Sequence, residues 1–214
     1  MKKVVLLGDS IRMGYDKYVK EALEGVAQVY YPSENCRFSQ YMLRYIHDWK
    51  KKGEWGDDVD LIHWNAGLWD VLDLFGDGPL SSLEHYTSTI ARIDKRIRML
   101  FPNAKVVFAL TTAVREELYL GKAKRRNFQI DEFNKAAIKA LEGTGTVFND
   151  LFSITVNIDR ECCSDMTHFN NPAGAAVLGG QVVATICREL DIPAKDVNIE
   201  NFELEKYSKD NIGF

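Results

Sequence analysis

The chain has few cysteines, few prolines, no long apolar run and no excess of positive charge. Its four cysteines, Cys36, Cys162, Cys163 and Cys187, lack C-x-x-C spacing and the density of a secreted disulfide scaffold, so reduced thiols are expected. No H-x-x-x-H, H-E-x-x-H or paired-cysteine pattern occurs, which gives metal binding little support. Gly76-Asp77-Gly78-Pro79 has neither the Lys-Ser/Thr ending nor the preceding strand of a phosphate loop and reads as a turn. With 27 Lys+Arg against 31 Asp+Glu, a formal charge of −4, no nucleic acid and no anionic membrane is expected as a partner. The longest apolar stretch, Ala173 to Cys187, is interrupted by Gly174, Gly179, Gly180 and Gln181 and is too short to span a bilayer. Near the N-terminus only Val4 to Leu7 separates Lys3 from Gly8, too few apolar residues for a signal peptide. A soluble cytoplasmic protein is the expectation. Hydrophobic residues at 46% and charged residues at 27% exclude a disordered or fibrous chain.

What is present is an alternation of strand-like and helix-like segments along the whole chain, the pattern of a parallel sheet covered on both faces. Strands are expected at Lys3–Gly8, Val26–Tyr31, Val59–Asn65, Lys105–Leu110 and Thr146–Asn149. Helices are expected at about Met13–Glu24, Phe38–Trp49, Leu83–Phe101, Ile130–Leu141 and Pro172–Leu190, with Pro172 near a first turn as helix starts prefer. Right-handed crossovers make this a three-layer α/β/α sandwich with five parallel strands in the order 2-1-3-4-5. One domain is expected over 1–214, with its core at about 3–190 and a polar tail at 191–214 offering Phe202, Tyr207 and Phe214 as anchors. The basic stretch Gly121 to Arg126 reads as a mobile loop.

In such sheets chemistry sits at the carboxyl ends of the strands, and here those ends are polar: Gly8-Asp9-Ser10, Asn35-Cys36-Arg37, Asn65-Ala66-Gly67 and Thr111-Thr112. Ser10, between the first strand and the first helix, is placed as a nucleophile beside backbone amides and the positive end of a helix dipole. From this dipeptide alone, Asp9 and Ser10 read first as a helix cap. A serine nucleophile needs a base and an acid that orients it, and Asp165-Met166-Thr167-His168 supplies both in one turn. Read alone, the same two residues are an ordinary loop before a helix. His47, His63 and His85 have no such company and read as structural or solvated.

Taken together, Gly8-Asp9-Ser10 near the start and Asp165-x-x-His168 near the end resemble the SGNH (GDSL-type) hydrolases over about residues 3 to 190. The resemblance implies a serine esterase or acylhydrolase with Ser10, His168 and Asp165 as its triad, no cofactor, and a small-molecule ester as partner. Two middle blocks depart from the family pattern. Asn35-Cys36-Arg37 puts Arg37 where N-x-G has glycine, and Gly67-Leu68-Trp69-Asp70 puts Trp69 where G-x-N-D has asparagine. Asn65-Ala66-Gly67-Leu68-Trp69-Asp70 is similar to an N-x-G-x-x-D variant, so the oxyanion hole is expected from the backbone amides of Ser10 and Arg37 with the Asn65 side chain.

Asp9, Gly67, Trp69, Asp70 and Arg115 are the candidate pocket residues. Trp69 is expected as a pocket wall for an acyl group or a sugar, and Trp64 as core. Asp70 reads either as a hydrogen-bonding pocket residue or as a loop brace. Arg115, Lys122, Lys124, Arg125 and Arg126 could meet an anionic substrate or form a solvated surface. A non-catalytic carbohydrate-binding module on the same fold is the alternative that the two departures motivate.

Overall fold

A computed structural model describes residues 1–206. Five strands, β1 (Lys2–Leu7), β2 (Ala27–Tyr30), β3 (Leu61–Trp64), β4 (Lys105–Ala109) and β5 (Val147–Asn149), form one parallel sheet in the order β2-β1-β3-β4-β5. The register places Val4 beside Val29 and Leu61, and Leu7 beside Trp64. β1 and β3 have all or most of their side chains buried, since helices cover both faces and leave no solvated side on which residues could alternate.

The helices are α1 (Ser10–Ala22), α2 (Ser39–Lys52), α3 (Leu83–Leu100), α4 (Asn127–Leu141), α5 (Leu151–Val156) and α6 (Pro172–Leu190). α1 packs against α6 on one face, and α2, α3 and α4 lie side by side on the other. In α3, Tyr86, Ile90, Ile93 and Ile97 recur at three- and four-residue steps and are all fully buried. Trp64 is core, packed edge-on to Phe108 with ring centres 4.6 Å apart. No helix among the described residues is long and apolar enough to cross a membrane.

Two helices begin earlier than their apolar spacing indicates. α1 starts at Ser10 because Asp9 caps it, Oδ1 accepting from the Ile11 N–H at 3.0 Å. α4 starts at Asn127, and the Asn127 amide joins the Val114 backbone in both directions. α5 was not foreseen: a six-residue helix carries too few periodic positions to show in sequence. Within the stretch expected as a mobile loop, Lys124 exchanges two backbone hydrogen bonds with Asp73 of the loop after β3, at 2.8 and 3.0 Å. Beyond α6 the chain returns over α1, where Phe202 is buried against the Tyr18 ring. Tyr207 and Phe214 lie outside the described residues.

Candidate active site

Ser10 is the first residue of α1, where a backbone N–H has no acceptor within its own helix. Tight packing fixes this strand-to-helix turn. A Cβ on Gly8 would stand 2.0 Å from Asn65 Oδ1 and 2.7 Å from Arg12 Cβ, so only glycine fits. Arg12, fully buried, donates to the carbonyls of Gly8, Pro32 and Glu34 and pairs with Asp16 one turn along α1. One guanidinium thus fastens the Ser10 turn to the loop after β2. Arg12 was missed in the sequence, whose one signal was an Arg-Asp pair at (i, i+4).

Ser10 Oγ lies 2.8 Å from His168 Nε2, and His168 Nδ1 lies 2.8 Å from Asp165 Oδ2. The His168 side chain is 12% exposed, enough to be reached while mostly desolvated. The Asp165 turn closes on itself: Oδ1 accepts from the Thr167 N–H at 2.6 Å and the His168 N–H at 2.8 Å. Burial by itself would raise the Asp165 carboxyl, but the His168 bond and charge and the two backbone donors outweigh it and hold it at about 2. The three residues spelled out in the sequence therefore converge with the distances of a serine–histidine–carboxylate relay.

The oxyanion candidates are arranged less simply. Arg37 has φ of 51°, the left-handed conformation that explains a glycine preference at this position. Its N–H already donates to Asn35 Oδ1 at 2.8 Å, so a bound oxyanion would have to share it. Asn65, at the end of β3 and almost fully buried, turns Nδ2 toward Asp9 Oδ1 at 3.4 Å. Asn65 Oδ1 and Asp9 Oδ2 are buried without protein partners. Burial raises the Asp9 carboxyl, against the lowering effect of the Ile11 and Asn65 hydrogen bonds.

Three of the five expected pocket residues line no open surface. Asp9 and Asp70 are fully buried, and Gly67 is wedged where a Cβ would meet Thr111 Oγ1 at 2.2 Å. Asp9 is committed to capping. Asp70 braces the loop after β3 against α2, accepting from Ser39 N–H at 3.0 Å, Ser39 Oγ at 2.6 Å and Ser81 Oγ at 2.8 Å. Trp69 and Arg115 remain half-exposed. Arg115 donates its N–H to the Met166 carbonyl at 2.8 Å and so supports the turn that carries His168. His63 is fully buried in the sheet with Nε2 3.1 Å from Asn149 Nδ2, which makes it structural.

No family model and no curated protein matches the sequence. Among solved structures, a lipase/acylhydrolase from Enterococcus faecalis is similar with a TM-score of 0.68 and 18% identity, covering 92% of this chain and all of that one. A GDSL-like lipase from Bacteroides thetaiotaomicron gives a TM-score of 0.64 and 14% identity, over 87% and 88% of the two chains. A carbohydrate esterase family 3 protein from Talaromyces cellulolyticus gives 0.66 and 16%, over 90% and 100%. The chain shares the fold of these lipases and esterases. At these identities the likeness establishes architecture, and chemistry has to be argued from the site.

Proposed function

We propose that this chain is a serine ester hydrolase that works through an acyl-enzyme on Ser10. The observation that carries the reading is the continuous relay from Ser10 Oγ to His168 Nε2 and from His168 Nδ1 to Asp165, 2.8 Å at each step. In this reading His168 takes the Ser10 proton as Oγ attacks the ester carbonyl, and Asp165 stabilises the resulting imidazolium. The proton then passes to the departing alcohol as its C–O bond breaks. Water, deprotonated by the same imidazole, attacks the acyl-enzyme, releases the acid and restores Ser10. The tetrahedral oxyanion is met by the Ser10 N–H and by Asn65 Nδ2, with the Arg37 N–H shared between it and Asn35.

A small O-acyl group on a carbohydrate is the substrate class we favour. It is supported by the half-exposed Trp69, whose indole face suits a pyranose ring, and by the likeness to a protein named as a carbohydrate esterase.

The deciding experiment is hydrolysis of 4-nitrophenyl acetate by the parent beside Ser10→Ala. Loss of at least about a thousandfold in kcat with an unchanged melting temperature is expected. Equal turnover by the two proteins rules the mechanism out. A well-folded parent that binds a sugar but cleaves no ester would favour the non-catalytic alternative.

A further inference from the structure

Arg125 was one of five basic residues whose role the sequence left open between a solvated face and an anion contact. In the structure its guanidinium reaches inward instead. Nε donates to the carbonyl of Leu68 in the loop after β3, and Nη1 lies 3.4 Å from both Tyr119 Oη and Thr167 Oγ1. Tyr119 Oη and Thr167 Oγ1 are themselves 2.9 Å apart. Thr167 directly precedes His168 and donates its N–H to Asp165. The backbone on either side of Arg125 is fixed: Lys124 is bridged to Asp73, and α4 begins at Asn127. Arg125 is also close enough to Asp9 for its charge to oppose, in part, the upward push that burial gives that carboxyl.

We propose that Arg125 is a positioning residue of this site, a fork that holds the His168-bearing turn at a set distance from the Gly67–Trp69 loop. The inference rests on the ester-hydrolase reading for its kinetic consequence but not for its geometry. All three acceptors are uncharged, so what they use is the planar, multi-donor shape of the guanidinium. A lysine would keep the charge and lose the fork. Misplacing a catalytic group by about 1 Å can cost on the order of a hundredfold in rate, which is the scale expected if the turn drifts away from Ser10.

The test compares the parent with Arg125→Lys, Arg125→Gln and Thr167→Val. The readouts are 4-nitrophenyl acetate kinetics, the melting temperature and the downfield proton resonance of the imidazole N–H shared with Asp165. Both Arg125 variants should lose about ten- to a hundredfold in kcat with KM within about twofold of the parent. Thr167→Val removes the hydroxyl and leaves the Leu68 contact intact, so it keeps the test open if the arginine variants fold poorly. It should lower kcat as well, and combining it with Arg125→Lys should cost less than the sum of the two. Full kcat in Arg125→Lys, or a loss confined to KM, overturns the proposal in favour of a simple charge contact. If parent and Ser10→Ala turn over alike, the hydrolase reading fails separately. The clamp is then judged by the imidazole resonance, which should broaden in Arg125→Lys and Thr167→Val and which contradicts the clamp if it stays as sharp as in the parent.

Discussion

His63 shows how burial alone sets a charge state. Its Nε2 lies 3.1 Å from Asn149 Nδ2, and its Nδ1 is buried without a hydrogen-bond partner among the described residues. With no carboxylate to stabilise the imidazolium, burial pushes its pKa down to about 3. The unfolded chain protonates this ring below about pH 6.5 while the native chain does not until about pH 3. Acidification through that window therefore favours unfolding, by at most about 1.4 kcal/mol per pH unit. Asp165 acts in the same direction but only as pH falls below the ordinary carboxylate range toward about 2. Asp9 and Asp70, both raised by burial, act oppositely, holding the native state better when protonated. The useful measurement is the difference in urea midpoint between pH 7 and pH 5, for the parent and for His63→Leu. The variant should start less stable and show the shallower dependence, and an equal slope in both would contradict the assignment.

At the scale of elements, what was legible in the sequence was whatever a short window contains. The strand order follows from five apolar runs separated by helical periods, and the Asp165–His168 turn was readable because the carboxylate and the imidazole are three residues apart. Helix starts at Ser10 and Asn127 were hidden because hydrogen bonds rather than an apolar period set them, Asp9 holding the Ile11 N–H and Val114 and Glu116 holding Asn127. The braces were hidden for a deeper reason: Arg12 reaches Pro32 and Glu34, and Arg125 reaches Leu68 and Thr167, contacts that exist only once the sheet has assembled. Asp70 is the clearest case. The sequence left it between pocket and brace, and the structure places it against the first residue of α2, where a carboxylate also meets the positive end of the helix dipole. Asp70→Ala would strand the Ser39 N–H and two serine hydroxyls in a buried site. A loss of about 3 kcal/mol in urea denaturation is expected, with a fall in ester turnover as the Gly67–Trp69 loop loosens. A variant as stable as the parent would show that this junction tolerates water.

Across the whole molecule, the chain beyond α6 is held by residues other than those of the relay. The relay sits at the carboxyl ends of the strands, while the chain beyond α6 is fastened along α1 and the outer edge of β2. There Lys195 N–H donates to the Ala22 carbonyl at 2.9 Å, Phe202 packs edge-on to Tyr18 with ring centres 5.7 Å apart, and Tyr31 Oη donates to Glu205 at 2.7 Å. A cleft of about 1050 Å³ remains between this strap and β2, lined by Lys17, Lys20, Tyr30 and Glu203 among others. Among the described residues of the strap, Phe202 is the one large buried anchor, 5% exposed, and truncating such a ring costs about 2 kcal/mol in lost burial. For a chain of this size that is roughly 4–8 °C in melting temperature. Because none of these contacts touches Ser10, His168 or Asp165, Phe202→Ala should lower the melting temperature by that amount and leave kcat/KM for 4-nitrophenyl acetate within about twofold of the parent. A loss of turnover larger than the loss of folded protein would mean that α1 transmits strain from its strapped end to the serine at its start.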